Sequence, residues 1–259
     1  MYITINQKIQ KSLFVILLLS YLLLCCASKI IAQNAPSESN IEVLKAYEDT
    51  IAVLGHAIIN DSLSENRFAS CRQLIPTLVR ALKTPHSFEY KFPRLKSISI
   101  QYPADSTFRI FTWQLFVDDN DYRYYGAIQM NREELELFPL VDRSQEINDL
   151  MFSTLSPEEW YGALYYNIQQ FDTPEGRKYL LFGFDGFSFF EKQKLMEVLS
   201  FKAGKPVFGA SADIIQINEK TGTERPINRL VLNYTSAAAI RLNFDPTIGH
   251  VMHDHLILS

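Results

Sequence analysis

Thr107–Met130, TFRIFTWQLFVDDNDYRYYGAIQM, decides the fold. Asp118-Asp119-Asn120-Asp121 is a turn cluster between two runs of β-branched and aromatic residues, the pattern of one long β-hairpin. With Asp119 and Asn120 at the tip, Val117 lies opposite Tyr122, Leu115 opposite Tyr124, Trp113 opposite Gly126, and Phe111 opposite Ile128. Side chains alternate with period two, so those eight share one face, and it is wholly apolar or aromatic. The other face, with Phe116, Arg123, Gln114, Tyr125, Thr112, Ala127, Ile110 and Gln129, is mixed and reads as half-solvated. A slip by one residue would bury Arg123 and Gln129, so the pattern favours the first register. On this reading Arg123, Tyr125 and Gln129 stay open to binding. Trp113, Tyr122 and Tyr124 belong to the core, with the Trp113 indole over the bare backbone of Gly126.

Upstream of Lys96 the apolar period is 3.6 rather than two. A capping box at Ser39 to Glu42 opens a helix carried by Ile41, Leu44, Ile51, Leu54 and Ile58. A second box at Ser62 to Glu65 opens another, with Phe68, Cys71, Leu74, Ile75, Leu78 and Leu82 as its stripe. Pro76 should kink or split that helix. The pair forms a helical hairpin over about residues 39–84, to be packed on the sheet that follows.

Downstream, short strands are expected at 97–102 and 135–141. Ser156-Pro157 starts a short helix that delivers Trp160, a residue free to lie at the surface. A second aromatic hairpin follows, YGALYYNIQQF at 161–171 returning through KYLLFGF at 178–184. The charge spacing in 187–201 favours a helix over strands. Strand patterns recur at 205–210, 213–217, 229–234, 239–244 and 250–258. Sequential strands with short turns pair antiparallel. The class is α+β: an N-terminal helical hairpin followed by a large, mostly antiparallel β-sheet or sandwich. The organisation is a signal peptide at 1–32, a helical hairpin region at 33–95 and a β domain at 96–259.

The N-terminus indicates export. Lys8 and Lys11 precede SLFVILLLSYLLLCC at 12–26, and small residues follow. Cleavage after Ala27 or Ala32 would deliver a periplasmic or extracellular protein with no integral membrane span, the apolar run being shorter than a spanning helix needs. The alternative is a lipid anchor at Cys25 or Cys26. After cleavage Cys71 is the one remaining cysteine. An internal disulfide is then impossible, and Cys71 reads as a buried, inert thiol. The net charge of −4 comes with no basic patch, which argues against a nucleic-acid partner.

Signatures of dinucleotide binding, phosphate cradling and zinc proteolysis do not occur. On a strand His253 and His255 would project from one face about 7 Å apart, enough to bind zinc with a third ligand from elsewhere. A metal-dependent hydrolase using His253 and His255 is therefore one alternative. A carbohydrate-binding module using Tyr125 and Trp160 is another, since rings stack on sugar faces. The leading expectation is a non-enzymatic binding or structural protein with an envelope protein or glycan as partner. No cofactor is assigned.

Four segments carry a resemblance: DSTFRIFTWQ at 105–114, YYGAIQ at 124–129, WYGALYY at 160–166 and KYLLFG at 178–183. Together they resemble an uncharacterised family of exported bacterial proteins with aromatic-rich β segments. The resemblance covers roughly residues 100–255 and implies a shared fold and an envelope location. It implies no activity and no site residues. It also suggests that the chain is a truncated version of a longer protein, continuing past His253-Asp254-His255.

Overall fold

The computed structural model describes residues 35–210, 214–217 and 221–254. The predicted signal segment, with Cys25 and Cys26, lies outside the described residues, as does His255. Two helices come first, α1 (Glu38–Asn60) and α2 (Ser64–Leu82). Among the described residues thirteen strands follow: β1 (Ser99–Gln101), β2 (Phe108–Asp118), β3 (Asp121–Met130), β4 (Leu137–Val141), β5 (Leu164–Thr173), β6 (Gly176–Asp185), β7 (Glu191–Lys202), β8 (Lys205–Phe208), β9 (Ile214–Ile217), β10 (Glu224–Ile227), β11 (Arg229–Thr235), β12 (Leu242–Asp245) and β13 (His250–His253). The α+β class holds, and every pair of these strands is antiparallel.

α1 is capped earlier than the sequence suggests. The Ser37 hydroxyl, not that of Ser39, accepts from Asn40 N–H. α2 is entered without a side-chain cap at Leu63, and Asp61 instead accepts from Leu63 N–H. Pro76 does not split α2, which runs through it. The apolar stripes of the two helices converge in one cluster with Leu44, Ile51, Ile58, Cys71, Leu74 and Leu78.

The first sheet has the order β1-β2-β3-β4 and the second β11-β7-β6-β5, with β8 extending the free flank of β7. One face of the first sheet (Phe111, Trp113, Leu115) packs on the helices. The other (Phe108, Ile110, Tyr124, Ile128) packs on the second sheet through Trp160, Tyr165, Leu181 and Phe208. The far face of the second sheet (Phe182, Met196) is covered by Leu242 and the β12–β13 ribbon. The central hairpin is thus buried on both faces.

That double burial corrects the predicted register. Asp118 pairs Asp121, so the tip is where the sequence put it. A bulge at Val117 then shifts the ladder by one, and Phe116 faces Tyr122 while Trp113 faces Tyr125. α2 holds the bulge in place. Arg67 donates to the carbonyls of Phe116 (2.6 Å) and Val117 (2.8 Å), and its guanidinium lies over the Phe116 ring. Gly126 faces Thr112, not Trp113. A Cβ there would come within 2.8 Å of the Phe111 carbonyl and 3.0 Å of Leu140 Cδ1, so the residue is fixed by close packing.

The segment expected to be helical, 187–201, is mostly the long strand β7. Its polar side chains are bonded to remote partners: Glu197 to Arg229 on β11, Gln193 to Tyr161, and Lys194 to the Ile240 carbonyl. The similar stretches Tyr125-Gly126-Ala127 and Tyr161-Gly162-Ala163 take different backbone structures. The first lies inside β3, while the second precedes β5 with Gly162 at φ +84°.

Candidate binding groove

The helical hairpin packs mainly on β2, and β4 is an edge strand of the first sheet. A groove of about 600 Å³ runs between α2 and β4, within the usual range for small-molecule sites. Ile75, Leu78, Val79 and Leu82 form its α2 wall. Its floor is Trp113, Tyr125, Leu137, Pro139 and Val141. The register explains this floor: Tyr125 pairs Val141, and Ala127 pairs Pro139, so these side chains point to the helical side. Pro139, which donates no hydrogen bond, discourages a further strand at this edge.

The floor is neutral. Tyr125 stacks on Trp113 with centroids 5.9 Å apart and an interplanar angle of 12°. The Cys71 thiol sits beside both rings, and burial raises its pKa. Burial also pushes the Tyr125 hydroxyl up to about 12. Neither group ionises near neutral pH. The Trp113 indole N–H has no oxygen or nitrogen acceptor.

The other end of the groove is polar, lined by Asp121, Arg123 and residues 142–146. Arg143 is paired with Glu146 at 2.9 Å, both largely exposed. Arg123 is exposed and lies 5.4 Å over the Phe68 ring, with no acidic partner among the described residues. Asp142 is mostly buried. It accepts from Tyr124 N–H (2.9 Å) and Ser144 N–H (3.0 Å), and desolvation raises its pKa against those bonds. Gly162 makes room for it, since a Cβ there would lie 2.6 Å from the carboxyl group.

Behind this end lies a second buried carboxyl, Asp185. It accepts from the Tyr161 hydroxyl (2.9 Å) and from Phe187 N–H (2.8 Å). Desolvation raises its pKa, and the Asp142 charge adds to the effect. A carboxyl whose pKa is higher folded than unfolded stabilises the fold fully below its ordinary value. That contribution is lost as pH rises through the folded value. Asp185→Asn should therefore flatten the pH dependence of thermal unfolding just above the ordinary carboxylate range. An unchanged profile in calorimetry would contradict it.

The residues singled out from sequence do not form one site. Tyr125 and Arg123 both line the groove, at its floor and its polar end. Gln129 is buried and accepts from Arg109 Nε at 2.8 Å, which corrects its expected exposure. Trp160 is fully buried between the sheets and donates to the Tyr165 hydroxyl, which likewise corrects a surface role. His253 is exposed on β13. No cluster of three His, Cys, Asp or Glu side chains suited to a metal occurs among the described residues. The α2 wall was missed as a site because its residues read as ordinary core positions. No family model, curated protein or solved structure matches the chain.

Proposed function

We propose that this is an exported, non-enzymatic binding protein whose α2–β4 groove takes an amphipathic ligand with an apolar body and an anionic head. The supporting observation is the groove itself: an apolar floor and α2 wall lead to a polar end where Arg143 is paired with Glu146, Asp121 is also present, and Arg123 has no acidic partner among the described residues. Burying a chain along α2 and β4 is worth about 0.8 kcal/mol per methylene. A head group bonded to Arg123 would fix its direction. A long-chain carboxylate has this chemistry. Export itself rests on the N-terminal sequence. No helix among the described residues is long and apolar enough to cross a membrane.

The test is a titration of Trp113 fluorescence, with Trp160, remote in the other core, as a constant background. Dodecanoate should give a saturable change. Arg123→Gln should weaken dodecanoate binding by about threefold to tenfold, a charge-assisted bond at a solvent-exposed site, and leave dodecanol binding unchanged. Absence of a saturable change with either compound would sink the reading.

A further inference from the structure

The connection between β6 and β7, Gly186-Phe187-Ser188-Phe189-Phe190, exposes three phenylalanines. Phe187 is 45% exposed, Phe189 54% and Phe190 72%. Phe189 and Phe190 pack edge to face with centroids 5.0 Å apart. Three neighbouring phenylalanines directed to water oppose the hydrophobic effect.

The loop is braced, not slack. Lys192 Nζ donates to the carbonyls of Gly186 (2.9 Å) and Ser188 (2.6 Å). Gly186 N–H donates to the Tyr124 hydroxyl, Phe187 N–H to Asp185, and Ser188 N–H to the Glu191 carbonyl. The Phe190 carbonyl accepts from Ser236 N–H at 2.7 Å. Phe187 is held at φ 47°, a conformation bulky residues rarely adopt. Most backbone polar groups of the loop thus have partners on neighbouring segments, which lowers the cost of bringing it up to an apolar phase.

Three observations bear on what covers the rings. Their exposed area is roughly 300 Å², estimated from typical aromatic surface, well short of the ~800 Å² per partner of a stable protein interface. The β2–β3 tip stands beside the loop, with Phe189 N–H 3.4 Å from Asn120 Oδ1, and brings the exposed carboxylates of Asp118 and Asp119 with it. Tyr122, whose ring packs on Gly186 on the inter-sheet side, is also one of the residues around the polar end of the groove, so loop and groove end are neighbours.

We propose that the Phe187–Phe190 loop is a membrane-contact element that seats its rings in the interface of a zwitterionic lipid surface. Asp118 and Asp119 then meet the ammonium ends of the head groups, and an anionic surface is disfavoured. The contact puts the open end of the groove next to a store of amphiphiles. It stands on the loop alone and does not require the groove to bind one.

The experiment uses the full chain carrying Phe190→Trp, titrated with phosphatidylcholine vesicles, with Val53→Trp on exposed α1 as the control. The Phe190→Trp emission should shift to the blue and be quenched by lipids brominated in the acyl chain, while Val53→Trp stays unchanged. Mixing phosphatidylglycerol into the vesicles should weaken the response. Phe189→Ser/Phe190→Ser should cut vesicle co-sedimentation at least fivefold. An unshifted Phe190→Trp spectrum, an equal shift at Val53→Trp, or a concentration-dependent dimer abolished by Phe189→Ser/Phe190→Ser would each overturn the proposal. Dodecanoate titration of the double serine variant reports separately on the groove.

Discussion

Arg229→Met is expected to destabilise the fold by about 3–5 kcal/mol, the usual effect of removing one member of a buried ion pair. Arg229 and Glu197 face each other across β11 and β7, and both side chains are wholly buried. Arg229 Nε donates to Glu197 at 2.8 Å, and its other nitrogens reach Glu197 again and the Leu150 carbonyl. The second Glu197 oxygen accepts from the Tyr165 hydroxyl, which accepts from the Trp160 indole at 2.8 Å. Without Arg229 a carboxylate stays in the core with no cation. Glu197→Gln/Arg229→Met should be less damaging than the sum of the single changes, because the substituted amide keeps an acceptor for Tyr165 and carries no charge. Urea unfolding of the cycle measures the coupling. Additive losses would show that the pair does not act as a unit.

Arg109→Met should be nearly as severe, at least about 3 kcal/mol from acceptors left unsatisfied in the interior. Arg109 is fully buried, with no carboxylate hydrogen-bonded to it. It donates to Gln129 (2.8 Å), the Tyr90 carbonyl (2.7 Å), the Tyr102 hydroxyl (2.8 Å) and the Ser87 carbonyl (3.0 Å). Its guanidinium carbon lies 4.7 Å from the Phe111 ring centre and near those of Phe88, Phe92 and Tyr102. Burial lowers its pKa from a value so high that it stays charged. Arg109 therefore bolts the segment around residues 87–90 onto the first sheet. Arg109→Lys should rescue little, since an ammonium cannot reproduce the fork of donors. Hydrogen exchange in Arg109→Met should quicken first at residues 86–94. Uniform quickening would count against a local clamp.

Both predictions concern charged residues buried in the core, and hydrophobic periodicity does not mark such positions. The helical hairpin, the hairpin tip and the antiparallel order were legible, because periodicity and turn chemistry are local. The register of β2 and β3 was not. Alternation reports a register only when one face is wet, and here Arg109 and Gln129 are buried against each other. β7 looked helical because Glu191, Lys192, Lys194 and Glu197 are spaced as on a solvated helix face. In the fold Lys192, Lys194 and Glu197 are bonded to groups 4 to 46 residues away. The groove could not be read at all, since α2 and β4 come together only in the fold. Arg123 and Tyr125 were found by the wrong route, through a register the structure does not have.

The bulge at Val117 has an implication for anyone who would borrow this hairpin. Its pairing is set at the tip by Asp118 and Asp121 but along its length by Arg67, which lies 49 and 50 residues before the two carbonyls it holds. The strand pair is therefore not a portable module. Transplanted without α2, residues 107–130 would be free to zip straight down from the turn, bringing Trp113 opposite Gly126 and turning one strand over relative to the other. The aromatic surface copied into the new scaffold would not be the one seen here.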